Sequence, residues 1–208
     1  MSKHFDDSYT LINADDEILA SRNPNHNNYD SGFYREHKMI HTSLDTETLG
    51  TVSNSVIISI GACTFDFKTQ QIIDTFKINV DAKSCEAIGL ETTRDTIKFW
   101  NAQDRDLYAS LTTDAVFITE ALISFSNWYT KDSPVWCWHK DFDAAILRNA
   151  YRRVWMKEPW NRHSIHCAHD YATLNKLPRI KSTIPHNPLE DAIAQAKTIM
   201  QLTPEVYK

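Results

Sequence analysis

Two acids, Asp45 and Glu47, sit two residues apart at the end of an apolar, β-compatible run, Leu44-Asp45-Thr46-Glu47-Thr48-Leu49-Gly50. Alternate side chains of a strand share a face, so both carboxylates point the same way. Such a pair repels itself and is costly to desolvate, and a divalent cation is the commonest partner that makes it favourable. The bland alternative is a polar strand end with two solvated acids. Further along, Asp143 opens a helical pattern directly after a short strand pattern. It lines up with Leu147, Ala150, Tyr151 and Val154 on the face that should meet the sheet. Packing does not explain an acid there; a ligand, or support for one, does. Asp141 is its rival and falls in the preceding loop, and N-capping would account for either. Near the end of the chain, His186 precedes a helix start with Asn187 as N-cap, Pro188 at N1 and Glu190 at N3, a capping-box-like arrangement. Asp191 lies one turn inside. A His beside a helix N-terminus and an acid suits proton transfer; a loop His with a solvated helix acid is the alternative.

These residues need a frame. The pattern predicts a first strand over Met39–Thr46, with Met39, His41, Ser43, Asp45 and Glu47 on one face. A second strand spans Val56–Phe65 and is apolar on both faces in its first half, as in a doubly covered sheet. A hairpin loop, Phe67–Gln71, leads to a third strand, Ile72–Val80. Helical patterns cover Thr93–Asn101, Asp104–Leu111 and Asp114–Tyr129, the last with Asp114 as N-cap. Pro134–Trp138 is a short fourth strand, followed by helices over Asp143–Val154, part of Arg162–Leu177, and Pro188–Leu202. Antiparallel hairpins followed by a long helical crossover to a parallel strand predict an α/β layer with a mixed β-sheet flanked by α-helices.

The 208 residues suffice for one domain with a sizeable core. Residues 1–38 read as a polar N-terminal extension rich in turn formers, and the domain is expected over 39–208. No apolar run approaches a membrane span, and Met1–Asp7 lacks the apolar core of a signal peptide, so a cytoplasmic location (host cytoplasm if viral) is expected. The four cysteines are far apart with no C-x-x-C pair, which argues against a zinc site or disulfide framework. The net charge of −5 argues against a broad basic nucleic-acid surface, but residues 140–181 carry nine Lys and Arg against four Asp and Glu. Among these, Arg148 and Arg152 lie four apart on one helix. Together with Arg153, Lys140, Lys176, Arg179 and Lys181 they could hold phosphates around an acidic centre.

The stretches Leu44–Gly50, Phe142-Asp143-Ala144-Ala145-Ile146-Leu147 and His186-Asn187-Pro188-Leu189-Glu190-Asp191-Ala192 resemble, in order and spacing, the three motifs of the DEDDh exonucleases. The flanking Gly89-Leu90, Ile97–Gln103 and Leu147–Arg153 are similar to the 3′→5′ exoribonuclease branch first known from mycobacteria, which also has many phage members. The resemblance runs from about Met39 to Leu202. It implies an RNase H-like fold, metal-site acids Asp45, Glu47, Asp143 and Asp191, and His186 as general base. It also implies two Mg²⁺ or Mn²⁺ ions, a choice that suits oxygen-only ligands. Leu49 and either Phe99 or Trp100 become candidates for stacking on terminal bases, and, related enzymes often being dimers, the resemblance leaves a homodimer open. One departure stands out: Trp136-Cys137-Trp138-His139-Lys140-Asp141 replaces the Asn or Gly-rich turn common before the second motif.

The expected function is metal-dependent 3′→5′ exonuclease action on single-stranded RNA or DNA 3′ ends or overhangs. Two other readings compete: a phosphodiesterase for short oligonucleotides or signalling nucleotides, and a non-catalytic nucleic-acid-binding module. A binding module has no need of four acids and a base.

Overall fold

A computed structural model describes residues 40–202 of the chain. The expected extension, residues 1–38, and the start of the first strand at Met39 lie outside the described residues. Five strands form one mixed sheet in the order β3-β2-β1-β4-β5. The long strands β1 (Ile40–Thr48), β2 (Ile57–Asp66) and β3 (Gln71–Asn79) are antiparallel, while β4 (Val135–Cys137) runs parallel to β1 and β5 (Ile165–Cys167) parallel to β4. Both faces of β2 are buried, in keeping with its apolar sequence. One core gathers Leu44, Ile57, Ile60, Leu122, Phe125 and Tyr151; the other gathers Cys63, Phe65, Phe67, Trp136 and Ile199.

Between β3 and β4 lie α1 (Ala82–Ala87), α2 (Arg94–Asn101), α3 (Arg105–Thr112) and α4 (Ile118–Trp128). The helix expected from Asp114 begins only at Ile118, and its N-cap position is Phe117. Asp114 adopts a left-handed backbone (φ 54°), and Val116 pairs with Val80 at the sheet edge. Tertiary pairing overrides the helical periodicity of this segment. After β4 come α5 (Asp143–Arg153), α6 (Ala168–Leu174) and α7 (Pro188–Met200). Strand β5 was not expected. It is three residues long, too short to show a period, and its pairing with β4 defines it.

Helix α7 packs across β1 and β2, and Gly61 sets how closely. Gly61 pairs with Asp45 across the β1–β2 ladder, and a Cβ there would lie 2.2 Å from both the Leu189 amide nitrogen and the Pro188 carbonyl carbon. These are backbone atoms and cannot swing aside. Gly61→Ala is therefore expected to lift the first turn of α7 off the sheet, costing roughly 1–3 kcal/mol of stability. Because that turn carries Asp191, Mn²⁺ affinity should fall by roughly tenfold or more. Thermal melts and calorimetric Mn²⁺ titration check this; parental values in both would show that α7 does not depend on the close approach.

Candidate active site

The three acid-bearing segments meet at one end of β1. Strand β1 runs through Thr48, so Glu47 lies on the strand, and a register shift between Glu47 and Thr48 ends the regular pairing there. Carboxylate oxygens of Asp45, Glu47 and Asp191 lie within 4.8 Å of one another. Asp143 joins them from the first turn of α5. It is buried, and its Oδ1 accepts hydrogen bonds from the Thr46 N–H at 3.0 Å and the Thr46 hydroxyl at 2.8 Å. Thr46, the residue between the two motif acids, thus orients the third acid. Asp141 is exposed and does not line the cleft, and the N-cap position of α5 is Phe142, without a side-chain cap bond.

The start of α7 brings the last two groups. Asn187 Oδ1 accepts from the Leu189 and Glu190 amides, as the sequence implies. Glu190 accepts from the Thr183 hydroxyl. His186 sits at φ 64°, a left-handed conformation that costs a non-glycine residue about 1–3 kcal/mol. Its amide donates to Asp191 Oδ2 at 2.9 Å, and its ring meets Phe99 edge-on at 5.1 Å. One turn beyond Asp191, the buried Gln195 Nε2 donates to Ser43 Oγ at 2.6 Å and to the Trp136 carbonyl at 2.9 Å. Gln195 ties α7 to β1 and β4 beneath the acids. In the sequence its one signal is the four-residue spacing from Asp191.

The acids raise one another's proton affinity. Burial, then the charges of Asp143, Glu47 and Asp191, push Asp45 well above the usual carboxylate range, with Arg179 opposing. Burial and the charges of Asp191 and Asp143 push Glu47 up to about 8. Burial lifts Asp143 to about 7 despite its two bonds from Thr46, and burial also raises Asp191. A cluster of oxygen donors with this much repulsion fits a divalent cation.

A cleft of about 330 Å³ opens over the acids, walled by Trp138, His139, Phe142, Arg179, His186 and Gln195. A more apolar cavity of about 390 Å³ adjoins it, bounded by Glu47, Thr48, Gly50, Phe99, Trp100 and His186. Trp100 lines this second cavity with its indole N–H fixed to the Thr48 carbonyl at 2.8 Å, and Phe99 is 40% exposed there. Leu49, expected to stack on a base, is instead 4% exposed within the core and lines neither cavity. The expected phosphate contacts also lie elsewhere. Arg148 Nε is 3.3 Å from Glu158, and neither Arg148, Arg152 nor Lys181 lines either cavity. Arg179, named with the basic region, is the cation at the cleft. Among the described residues, no helix is long and apolar enough to cross a membrane.

No curated protein matches the sequence. The family model of the Rv2179c-like 3′-5′ exoribonuclease domain matches residues 40–203. Among solved structures, the fold is similar to the nuclease domain of 3′hExo, a DEDDh family member, bound to rAMP. That likeness has a TM-score of 0.54 at 16% identity and covers 79% of this chain and 92% of that one. It is also similar to E. coli exonuclease I in complex with a dT13 oligonucleotide, with a TM-score of 0.57 at 11% identity over 78% of this chain and 40% of that one. This chain thus spans less than half of exonuclease I. With the acids, the His and the mixed sheet in place, the chain has the RNase H-like fold of the DEDDh-family 3′hExo nuclease domain, and it belongs to the Rv2179c-like 3′-5′ exoribonuclease domain family.

Proposed function

We propose that this chain removes nucleotides from the 3′ ends of single-stranded RNA or DNA by metal-dependent hydrolysis, with Asp45, Glu47, Asp143 and Asp191 holding two divalent ions and His186 acting as general base. The observation that carries the reading is the convergence of four mutually repelling acids beside one His at a cleft mouth. When bound, two such ions stabilise charge on the attacking and leaving oxygens of phosphodiester hydrolysis. In this reading Asp45 serves both ions, Glu47 and Asp191 complete one site, and Asp143 the other. Both Thr46 bonds fall on one oxygen of Asp143, Oδ1. The His186 ring, steadied by Phe99 and Trp100, takes the proton of the attacking water. The Phe99–Trp100 cavity receives the terminal nucleoside, whose base finds an aromatic wall. The 3′hExo domain is described bound to rAMP and exonuclease I bound to dT13, which is consistent with a site for nucleotide ends.

The test is a time course with 5′-labelled RNA and DNA, single-stranded and with 3′ overhangs, in Mg²⁺ or Mn²⁺. A ladder shrinking from the 3′ end is expected. His186→Ala should lower kcat by about 10²-fold or more while leaving calorimetric Mn²⁺ binding in place. Full activity of that variant from about pH 6 to 9 would remove the base role. Binding of all substrates with no metal-dependent cleavage would favour a non-catalytic module.

A further inference from the structure

The acidic cleft borders two different groups of side chains. Beside His186 it runs into the apolar Phe99–Trp100 cavity. The cleft wall also includes part of a strip of aromatic and basic side chains, separate from those of the apolar cavity. The Arg179 guanidinium carbon lies 4.1 Å from the centroid of the Trp138 ring, and both residues line the cleft. The His169 ring meets Trp138 edge-on at 5.7 Å and lies 4.9 Å from the ring of His139, itself a wall residue. Lys140 follows, exposed. The strip is assembled from the β4–α5 loop, from α6 and from the loop before α7. It is also held together: the His169 amide donates to the Trp138 carbonyl at 3.1 Å, and Asp170 lies 3.5 Å from His169 Nδ1.

Core packing accounts for part of Trp138, which rests against the second core, but not for Arg179, His139 and Lys140, which are all exposed. Metal holding does not require it either, since it lies outside the carboxylate cluster. A guanidinium over an indole can still offer N–H groups to phosphate oxygens. Aromatic faces interleaved with cations are what a single strand needs: stacking for bases and charge for the backbone, without a sequence code.

We propose that this strip binds the nucleotides on the 5′ side of the scissile bond, with Arg179 on a backbone phosphate and Trp138, His169 and His139 against bases of single-stranded RNA or DNA. The inference rests on the reading above, in which the terminal nucleoside occupies the Phe99–Trp100 cavity. A mononucleotide filling that cavity ends before the strip; a strand with residues 5′ of the scissile bond must meet it. Affinity therefore grows with strand length beyond one residue, and these side chains supply the increment.

Fluorescence anisotropy tests this with a labelled mononucleotide and a labelled single strand of about twelve residues, in EDTA so that binding is read apart from cleavage. The unsubstituted chain should bind the longer strand at least about tenfold more tightly. Trp138→Ala, Arg179→Ala and His169→Ala should each remove roughly fivefold or more of that difference, and Trp138→Phe should restore part of what Trp138→Ala loses. Arg179→Ala should also reduce the slope of log K against log salt by about 0.7, one phosphate's worth for a single strand. Equal affinity for the two lengths, or substitutions that weaken both by the same factor, would overturn the proposal. Cleavage of the same strands in Mg²⁺ is scored separately. A chain that binds with this length dependence yet cuts nothing keeps the strip and loses the hydrolytic reading of the acids.

Discussion

Asp45→Asn is expected to lower kcat by at least about 10³-fold and, in the same protein, to raise the melting temperature of the metal-free form. The two effects share one cause. Asp45 sits between the other acids: its carboxyl is raised by burial and then by Asp143, Glu47 and Asp191. Asn keeps the shape and removes the charge. Without the charge, the residue placed to serve both ions no longer holds them, and a loss of about 4 kcal/mol of transition-state stabilisation corresponds to that rate effect. Without ions, the same charge is a liability, and removing it should stabilise the fold by about 1–2 kcal/mol. The opposite signs separate a functional acid from a structural one, because a structural carboxylate destabilises the fold when it is neutralised. Activity on a 5′-labelled strand and melting in EDTA at neutral pH are the two measurements. Parental kcat, or a lower metal-free melting temperature, would sink the assignment.

What the sequence disclosed about this site was local. Alternation along β1 places Asp45 and Glu47 together, and the start of α7 is written by Asn187 and Pro188, whose cap the structure contains. What it hid depends on contacts between distant segments. Leu49 belongs by simple alternation with Glu47, but the register shift between Glu47 and Thr48 breaks that alternation, and Leu49 enters the core. Arg148 and Arg152 share a helical stripe, yet nothing local shows that Glu158 draws Arg148 away. Arg179 reads as one cation among nine in its region until folding lays it on Trp138. The hydrogen bonds from Thr46 to Asp143 and from Gln195 to Ser43 span 97 and 152 residues, beyond any periodic pattern. Three-residue strands such as β5 carry no period to detect.

In EDTA, the acid cluster should make this protein lose stability as pH rises, most clearly from about 6.5 to 8, above the range in which the buried His41, pushed down to about 3, contributes the opposite slope. Glu47 is pushed from 4.5 up to about 8, and Asp143 from 3.8 to about 7. A group whose affinity for its proton is greater in the folded state stabilises the fold fully below its unfolded value. That stabilisation is lost as pH climbs through the folded value. In this window the folded chain binds more protons than the unfolded one, so the unfolding free energy has a negative slope of up to about 1.4 kcal/mol per pH unit for each such group. Divalent ions reverse the trend, because they bind the ionised acids and displace the protons. At about a hundred times its dissociation constant, an ion contributes about 2.7 kcal/mol. The stabilisation by Mn²⁺ should therefore be small near pH 5 and large near pH 8, where it should restore much of the melting temperature lost in EDTA. Melts across that range, with EDTA and with Mn²⁺, decide the matter. Asp45→Asn should flatten both curves by removing one of the repelling charges. A metal-free melting temperature that does not change with pH, or an Mn²⁺ shift equal at both ends, would mean that these acids do not hold their protons in common and do not yield them to a cation.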